Sequence, residues 1–417
     1  MIRVDERVMI RVAPFGMDLV LSIYGLAAPL LLIELKASPV ELGLIGTMTA
    51  AVHMALAHRM GPLSDRFGRR RLILLSPLLL AFSALFAAVT HQVKVILILS
   101  ALNGLCLSLF WPPLQAWVSE LRTETDVARN IGTLNMAWTA AYLLGPISAG
   151  FLFSLHSRLP FLCAAAFSVS LFLLGYTSIH DRKAVISEKP ATQSETDKPI
   201  RHFLYVVWIA NFVSWFALGN TRYLFPKLAT ELGNGPRTIG ILMGCLGFSL
   251  FVGFFVLRTD TRWHFRRRYL FGAQALGAMG LLIIFVARKA FWFALALALV
   301  GLSASVTYYS SLLYAVRLSA EKGKGTGRHE SILSTGALLG PLLGGLAAQA
   351  AGLRIPYLIC FGFLLAAVLS ELLLLKIGTH PIFSPPQNHT GKNRSHSSIL
   401  GLFFSRPSSG SKKESST

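Results

Sequence analysis

The sequence predicts an all-α membrane protein of twelve transmembrane helices in two pseudo-symmetric six-helix bundles. Three observations carry this. Of 417 residues, 53% are hydrophobic and only 14% charged, against roughly 25% charged in soluble domains. Such a chain has too little polar surface to wrap its apolar content in water. The apolar residues gather in twelve runs of about 20, the length that crosses ~30 Å of hydrocarbon at 1.5 Å per residue. The chain also repeats itself at a spacing of 195–197 residues.

The runs follow in order. The first, 12–34, starts after Arg3, Arg7 and Arg11. It is too long for the apolar core of a signal peptide and contains Asp18, and Pro29 spoils the small-residue site at Ala27-Ala28, so it reads as a membrane helix. Runs 41–58 and 72–90 flank a strongly basic loop. Runs 93–118, 129–154 and 159–179 complete the first half. The second half holds 203–226, 237–257, 269–287, 290–316, 331–351 and 355–377.

Lys+Arg total 39 against 19 Asp+Glu, a net charge of +20. In a soluble protein that excess would point to nucleic acid. Here 30 of the 39 fall at the termini and in every second loop, 8 in the opposite loops, and one, Arg222, inside a run. Basic loops are retained in the cytoplasm. The split therefore places both termini and the middle loop there, in a plasma (inner) membrane, with no need of nucleic acid.

The repeat is carried by Arg158–Cys163 against Arg354–Cys360, Gly145-Pro146 against Gly340-Pro341, and Gly104 against Gly301. Between the copies, 181–202 is polar and contains Pro, the composition of a linker. The expected organisation is a short cytoplasmic N-terminus (1–11), a six-helix bundle (12–180), the linker, a second bundle (203–377) and a tail (378–417). The tail is rich in Ser, Lys and Pro and reads as a solvated, disordered end, with weak attraction to anionic lipid through Lys412 and Lys413 as the alternative. Cys106, Cys163, Cys245 and Cys360 sit in apolar runs with no metal-ligand spacing, and read as small hydrophobes.

The most specific local signal is Gly61-Pro62-Leu63-Ser64-Asp65-Arg66-Phe67-Gly68-Arg69-Arg70-Arg71. It resembles the G-x-L-A-D-R-x-G-R-[KR] signature between helices two and three of the major facilitator superfamily. A plain basic stop-transfer loop would explain the arginines but not the Gly/Asp spacing. The resemblance implies a gating segment in which Gly61, Asp65, Arg66, Gly68, Arg69 and Arg70 help hold the two halves together on the cytoplasmic side. The equivalent segment 258–268 keeps arginines and Asp260 but lacks the glycines, and reads as a decayed copy. Gly336, Gly340, Pro341, Gly344 and Gly345 match the G-x-x-x-G-P-x-x-G-G motif of the family's antiporters, displaced from helix five to span eleven. Span five keeps Gly145 and Pro146. Small residues at this spacing permit close helix packing. Drug–proton antiporters of the family carry an arginine four residues before a glycine in helix four, where this chain has Ser100 before Gly104; that departure argues against naming a drug antiporter.

In the family, helices 1, 4, 7 and 10 line the central cavity. Helical spacing picks out Asp18 and Ser22; Ser108, Trp111 and Gln115; Asn211, Trp215 and Arg222; and Thr307 and Tyr314 as cavity candidates, with helix packing the alternative for the small and hydroxyl members. A charge inside a span costs at least ~2.5 kcal/mol, so Asp18 and Arg222 should face water, substrate or a partner. Asp18 is a candidate for proton coupling or a carboxylate solvated near the cytoplasmic end. Arg222 is a candidate to hold an anionic group or an arginine snorkelling to the interface. His53 and Glu330 are further coupling candidates. Packing is the alternative for His53, and capping of span eleven for Glu330.

The resemblance implies a secondary active transporter of a small organic solute, working by alternating access and monomeric in the bilayer; whether it is coupled to protons, through Asp18, His53 or Glu330, is left open by the sequence. The alternative is a transporter-fold sensor or scaffold, in which the tail would be the working part. No catalytic triad, H-E-x-x-H or nucleotide loop stands out, so no enzyme activity, metal, cofactor or ATP drive is expected.

Overall fold

Each apolar run becomes one helix, because a chain in hydrocarbon must satisfy every backbone group within the segment. The computed structural model describes residues 6–120, 124–179, 198–259, 263–318 and 322–377. Its helices are α1 (Glu6–Glu34), α2 (Pro39–Phe67), α3 (Arg69–Val89), α4 (Val93–Glu120), α5 (Glu124–Leu155), α6 (Leu159–Ser178), α7 (Lys198–Glu231), α8 (Pro236–Thr259), α9 (Arg267–Val286), α10 (Ala290–Leu318), α11 (Lys322–Ala351) and α12 (Ile355–Ile377). All twelve are long and apolar enough to cross a membrane.

Most helices outrun their apolar stretches at the face that carries the termini. α7 begins at Lys198, inside the stretch read as linker, and α11 begins at Lys322, well before span eleven. The basic segment after span two is not a loop: α2 runs through Phe67, α3 starts at Arg69, and Gly68 alone breaks them. Its φ of +91° suits glycine, and its N–H caps the Ser64 carbonyl. The rest of the linker, the tail and Asp260 lie outside the described residues.

At the opposite face the loops are short and their caps follow from sequence. α1 ends with Lys36 at φ +58° and α7 with Gly233 at φ +81°, 197 residues apart. Each passes the same hydrogen bonds back to the helix, Ala37 to Leu32 and Asn234 to Ala229. This is the left-handed cap that glycine accepts freely and lysine only at a cost. Ser38 and Glu41 then form a capping box on α2, with Pro39 in its first turn, a combination worth about 1 kcal/mol.

The two halves pack alike. α1 lies on α5 and α6, α2 on α4, and α3 on α4 and α6; α7 lies on α11 and α12, α8 on α10, and α9 on α10 and α12. Between halves, α5 meets α8 and α2 meets α11, an exchange related by the same two-fold relation, while α1 touches α7. Small residues bring these seams together. A Cβ on Gly240 would lie 2.6 Å from the Pro146 carbonyl oxygen and 2.9 Å from Gly150 Cα. One on Gly345 would lie 2.9 Å from the Pro39 carbonyl oxygen. Without a hydrophobic drive between helices in lipid, such close van der Waals contact is what holds them. These approaches lie toward the face away from the termini. Near the other face, Met54, His58 and Arg59 of α2 and Gly327 and Arg328 of α11 are exposed.

Candidate functional site

The two ionisable residues inside spans come together between the halves. Asp18, on α1, is 8% exposed, and its Oδ2 is buried without a hydrogen-bond partner. It lies within electrostatic reach of Arg222 on α7. The two do not close to an ion pair; among the described residues the ion pair is Arg69–Asp65 at 2.9 Å. Arg222 does not snorkel. Its guanidinium lies 4.2 Å from the Tyr142 ring centroid on α5, and it packs against Gly25, where a Cβ would stand 3.7 Å from Nε. A cation over an aromatic face is worth about 0.5–2 kcal/mol, more when desolvated.

Aromatic rings continue the wall. Trp138 on α5 packs edge-on to Tyr142, to Phe254 on α8 and to Tyr308 on α10. Trp215 on α7 lies 6.1 Å from Tyr308, and Tyr308 meets His329 on α11. His329 Nδ1 shares a 2.8 Å hydrogen bond with Ser311, while its Nε2 is buried and unpartnered. Asn211 is fully buried with neither amide atom bonded. Six helices from both halves thus enclose Asp18, Arg222 and several unsatisfied polar atoms, in a setting where unpaired polar groups are costly.

Other expected cavity residues meet neighbouring helices, bond to their own backbone or are exposed. Ser108 is in the α2–α4 contact, 3.1 Å from His53 Nδ1 and bonded back to the Gly104 carbonyl; this also places His53 in packing between helices. Ser22 faces α5, where Gly145 must lack a side chain to clear it. Gln115 is exposed, and Trp111 is half-buried against Phe110. Thr307 turns its hydroxyl to the Ser303 and Ala304 carbonyls. Tyr314 is a latch rather than a cavity group: its hydroxyl accepts a 2.6 Å bond from the Phe265 N–H, and its ring stacks on Phe265. Glu330 does not cap α11, which begins eight residues earlier; it sits inside the helix, within electrostatic reach of Tyr308.

In the glycine-arginine segment, Asp65 pairs with Arg69 one turn on. Arg70 donates to the Tyr176 carbonyl on α6 at 2.7 Å and lies over the Tyr176 ring. Arg66 is exposed. On α11, Gly336 and Gly340 admit the backbone of α7 at Phe212 and Phe216, Gly344 admits Asn220, and Pro341 meets Gly43 and Gly46 of α2.

Trp138, Tyr142, Tyr308 and His329 escaped the sequence reading, which confined the cavity to helices 1, 4, 7 and 10. Asn135, Trp138 and Tyr142 do share one face of span five, so the stripe was visible though its partners were not. Glu371, fully buried on α12 with Oε2 accepting 2.7 Å from Gln274, was also missed, although an acid inside a strongly apolar run is a signal in itself.

The sequence profile described as Major Facilitator Superfamily matches residues 12–206 and 207–409, one copy on each half. The chain belongs to this superfamily. It is a multi-pass membrane protein of a family made up of transporters. It is similar to the quinolone resistance protein NorA of Staphylococcus aureus, 24% identical over 382 residues that cover 86% of this chain and 94% of NorA. It is also similar to multidrug resistance protein 1 of Bacillus subtilis, 24% identical over 216 residues, 51% of this chain and 54% of that protein. Among solved structures, a bacterial homologue of the human lysosomal transporter Spinster superposes with a TM-score of 0.71 at 14% identity, covering 88% of this chain and 96% of the other. The nucleoside transporter NupG superposes at 0.64 and 12% identity, covering 88% and 98%. These likenesses are of fold.

Proposed function

We propose that this protein is a proton-coupled secondary transporter that moves a small amphipathic organic solute by alternating access between its halves. The observation that carries the reading is the partnerless carboxylate of Asp18 beside Arg222, enclosed by helices of both halves. An ionised Asp18 balances the guanidinium. A protonated Asp18 leaves Arg222 to seek another anion, so proton binding and an acidic group on the solute support one another through Coulomb attraction. Trp138, Tyr142, Trp215 and Tyr308 supply flat apolar walls for the rest of the solute. We place both termini and the 181–202 linker in the cytoplasm, from the basic loops, in a plasma membrane. The Gly61–Arg71 segment and the α2–α11 and α5–α8 seams are then the surfaces that rearrange during the cycle. Because proton and acidic solute favour each other's binding, the two travel in the same direction, so the reading is symport.

The test is transport in proteoliposomes across a panel of amphipathic acids and zwitterions, with and without an imposed pH gradient. Movement of any of them that the gradient drives, and that Asp18→Asn uncouples, supports the reading. Gradient-driven transport unchanged in Asp18→Asn overturns the coupling role.

A further inference from the structure

A cavity of about 290 Å³ opens at the face away from the termini, in the first half, lined by Glu34, Ala87, Ala88, Thr90, His91 and Arg158 among others. Its volume is far above the ~30 Å³ share of one water. The internal repeat shows what kind of group this place accepts. Arg354, the counterpart of Arg158, donates from Nη2 to the Ala287 carbonyl at 2.6 Å and from Nη1 to the carbonyls of Ile284 and Phe285. It thus caps the C-terminal end of α9, where helix carbonyls lack partners and the dipole favours a cation. Subtracting 197 turns Ile284, Phe285 and Ala287 into Ala87, Ala88 and Thr90, which line the cavity at the end of α3. The socket that holds a guanidinium in the second half is open in the first.

Arg158 lines the cavity without filling the socket. Its Nη2 lies 3.1 Å from His91 Nε2, and the residue is exposed, so the other N–H groups of its guanidinium remain available at the rim. Glu34 borders the same cavity and is also exposed. One side of the site therefore offers a carboxylate and helix-end carbonyls to a hydrogen-bonding cation, and the other offers arginine to an anion. Phe86, Val89, Leu155 and Leu162, neighbours in sequence of the lining residues, are exposed apolar side chains that belong against acyl chains.

We infer that this cavity binds the headgroup of phosphatidylethanolamine, its ammonium in the α3 socket beside Glu34 and its phosphate on Arg158. A quaternary choline has no N–H to give the carbonyls, and a glycerol headgroup has no positive charge for Glu34, so neither matches the site.

Full-length protein in nanodiscs of equimolar phosphatidylethanolamine, phosphatidylglycerol and phosphatidylcholine would be released into detergent and its retained lipid counted by native mass spectrometry. Wild type should retain phosphatidylethanolamine about 10-fold over the other two, the effect of one charge-assisted hydrogen bond. Glu34→Gln should erase that preference, Arg158→Gln should strip retained lipid of all kinds, and Arg158→Lys should keep part of it. Both residues are exposed, so these variants should fold. Equal retention of the three lipids by wild type, or an unchanged preference in Glu34→Gln and Arg158→Gln, overturns the inference. Tighter binding of soluble phosphoethanolamine than of the lipid itself would also overturn it, making a free solute the ligand.

Discussion

Gly240→Ala tests how the halves are held. Gly240 on α8 faces Gly150 on α5, and an added Cβ would meet Gly150 Cα at 2.9 Å and the Pro146 carbonyl oxygen at 2.6 Å. Carbon atoms in good contact stand about 3.5–4.0 Å apart, and both obstacles are backbone, which cannot rotate aside. The helices must therefore part by roughly 0.6–1 Å at this point, an overpacking that costs about 1–3 kcal/mol. If the alternative state lacks the contact, the equilibrium shifts away from the closed seam by about 5- to 150-fold. Spin labels at Lys94 and Arg288, exposed at this face on the two halves, with Cys163 and Cys245 replaced, would read the change as a longer-distance population in pulsed dipolar spectroscopy. Gly301→Ala is the control. Gly301 faces the Leu246 carbonyl within the second half, so this change should lower thermal stability without lengthening that distance. An unchanged distance distribution in folded Gly240→Ala, or the same lengthening in Gly301→Ala, would refute the reasoning.

Other predictions follow from the same geometry. Asp18→Asn should abolish solute accumulation driven by a pH gradient while leaving solute exchange across the membrane measurable, because the amide keeps the shape but cannot carry the proton. Arg222→Lys should raise the half-saturating solute concentration several-fold, since the ammonium keeps the charge but loses the flat stacking on Tyr142 that is worth about 0.5–2 kcal/mol; transport kinetics would show it. His53→Gln should retain most transport, because the ring is engaged with Ser108 between α2 and α4. A loss of coupling in that variant would put His53 back in the proton path. Tyr314→Phe should cost about 1–3 kcal/mol of stability by leaving the Phe265 N–H without its acceptor, read as a lowered melting temperature in detergent.

Much of this molecule is decided locally and was therefore legible in its sequence. Helix number and approximate position follow from apolar run length, because bilayer thickness is a fixed ruler. The repeat follows from residues spaced 195–197 apart, and the left-handed caps at Lys36 and Gly233 show the two copies sharing even loop geometry. Asp18 and Arg222 stood out because a charge in hydrocarbon needs a reason. Helix ends were less legible: α2 continues through the glycine-arginine segment and α11 starts at Lys322, since charged residues extend a helix beyond the lipid as readily as they end an apolar run. What only the tertiary structure decided is which stripe meets which. Spacing put Ser108, Thr307 and Tyr314 on the helix faces expected to line a cavity, but a hydroxyl is read as a latch or a lining group only once its acceptor is known. Arg222 reaches Tyr142 across 80 residues of chain, Trp138 reaches Tyr308 across 170, and Arg354 fills a socket that Arg158 leaves open. Contacts between distant segments are set by how twelve helices pack, and no local period in the sequence encodes that.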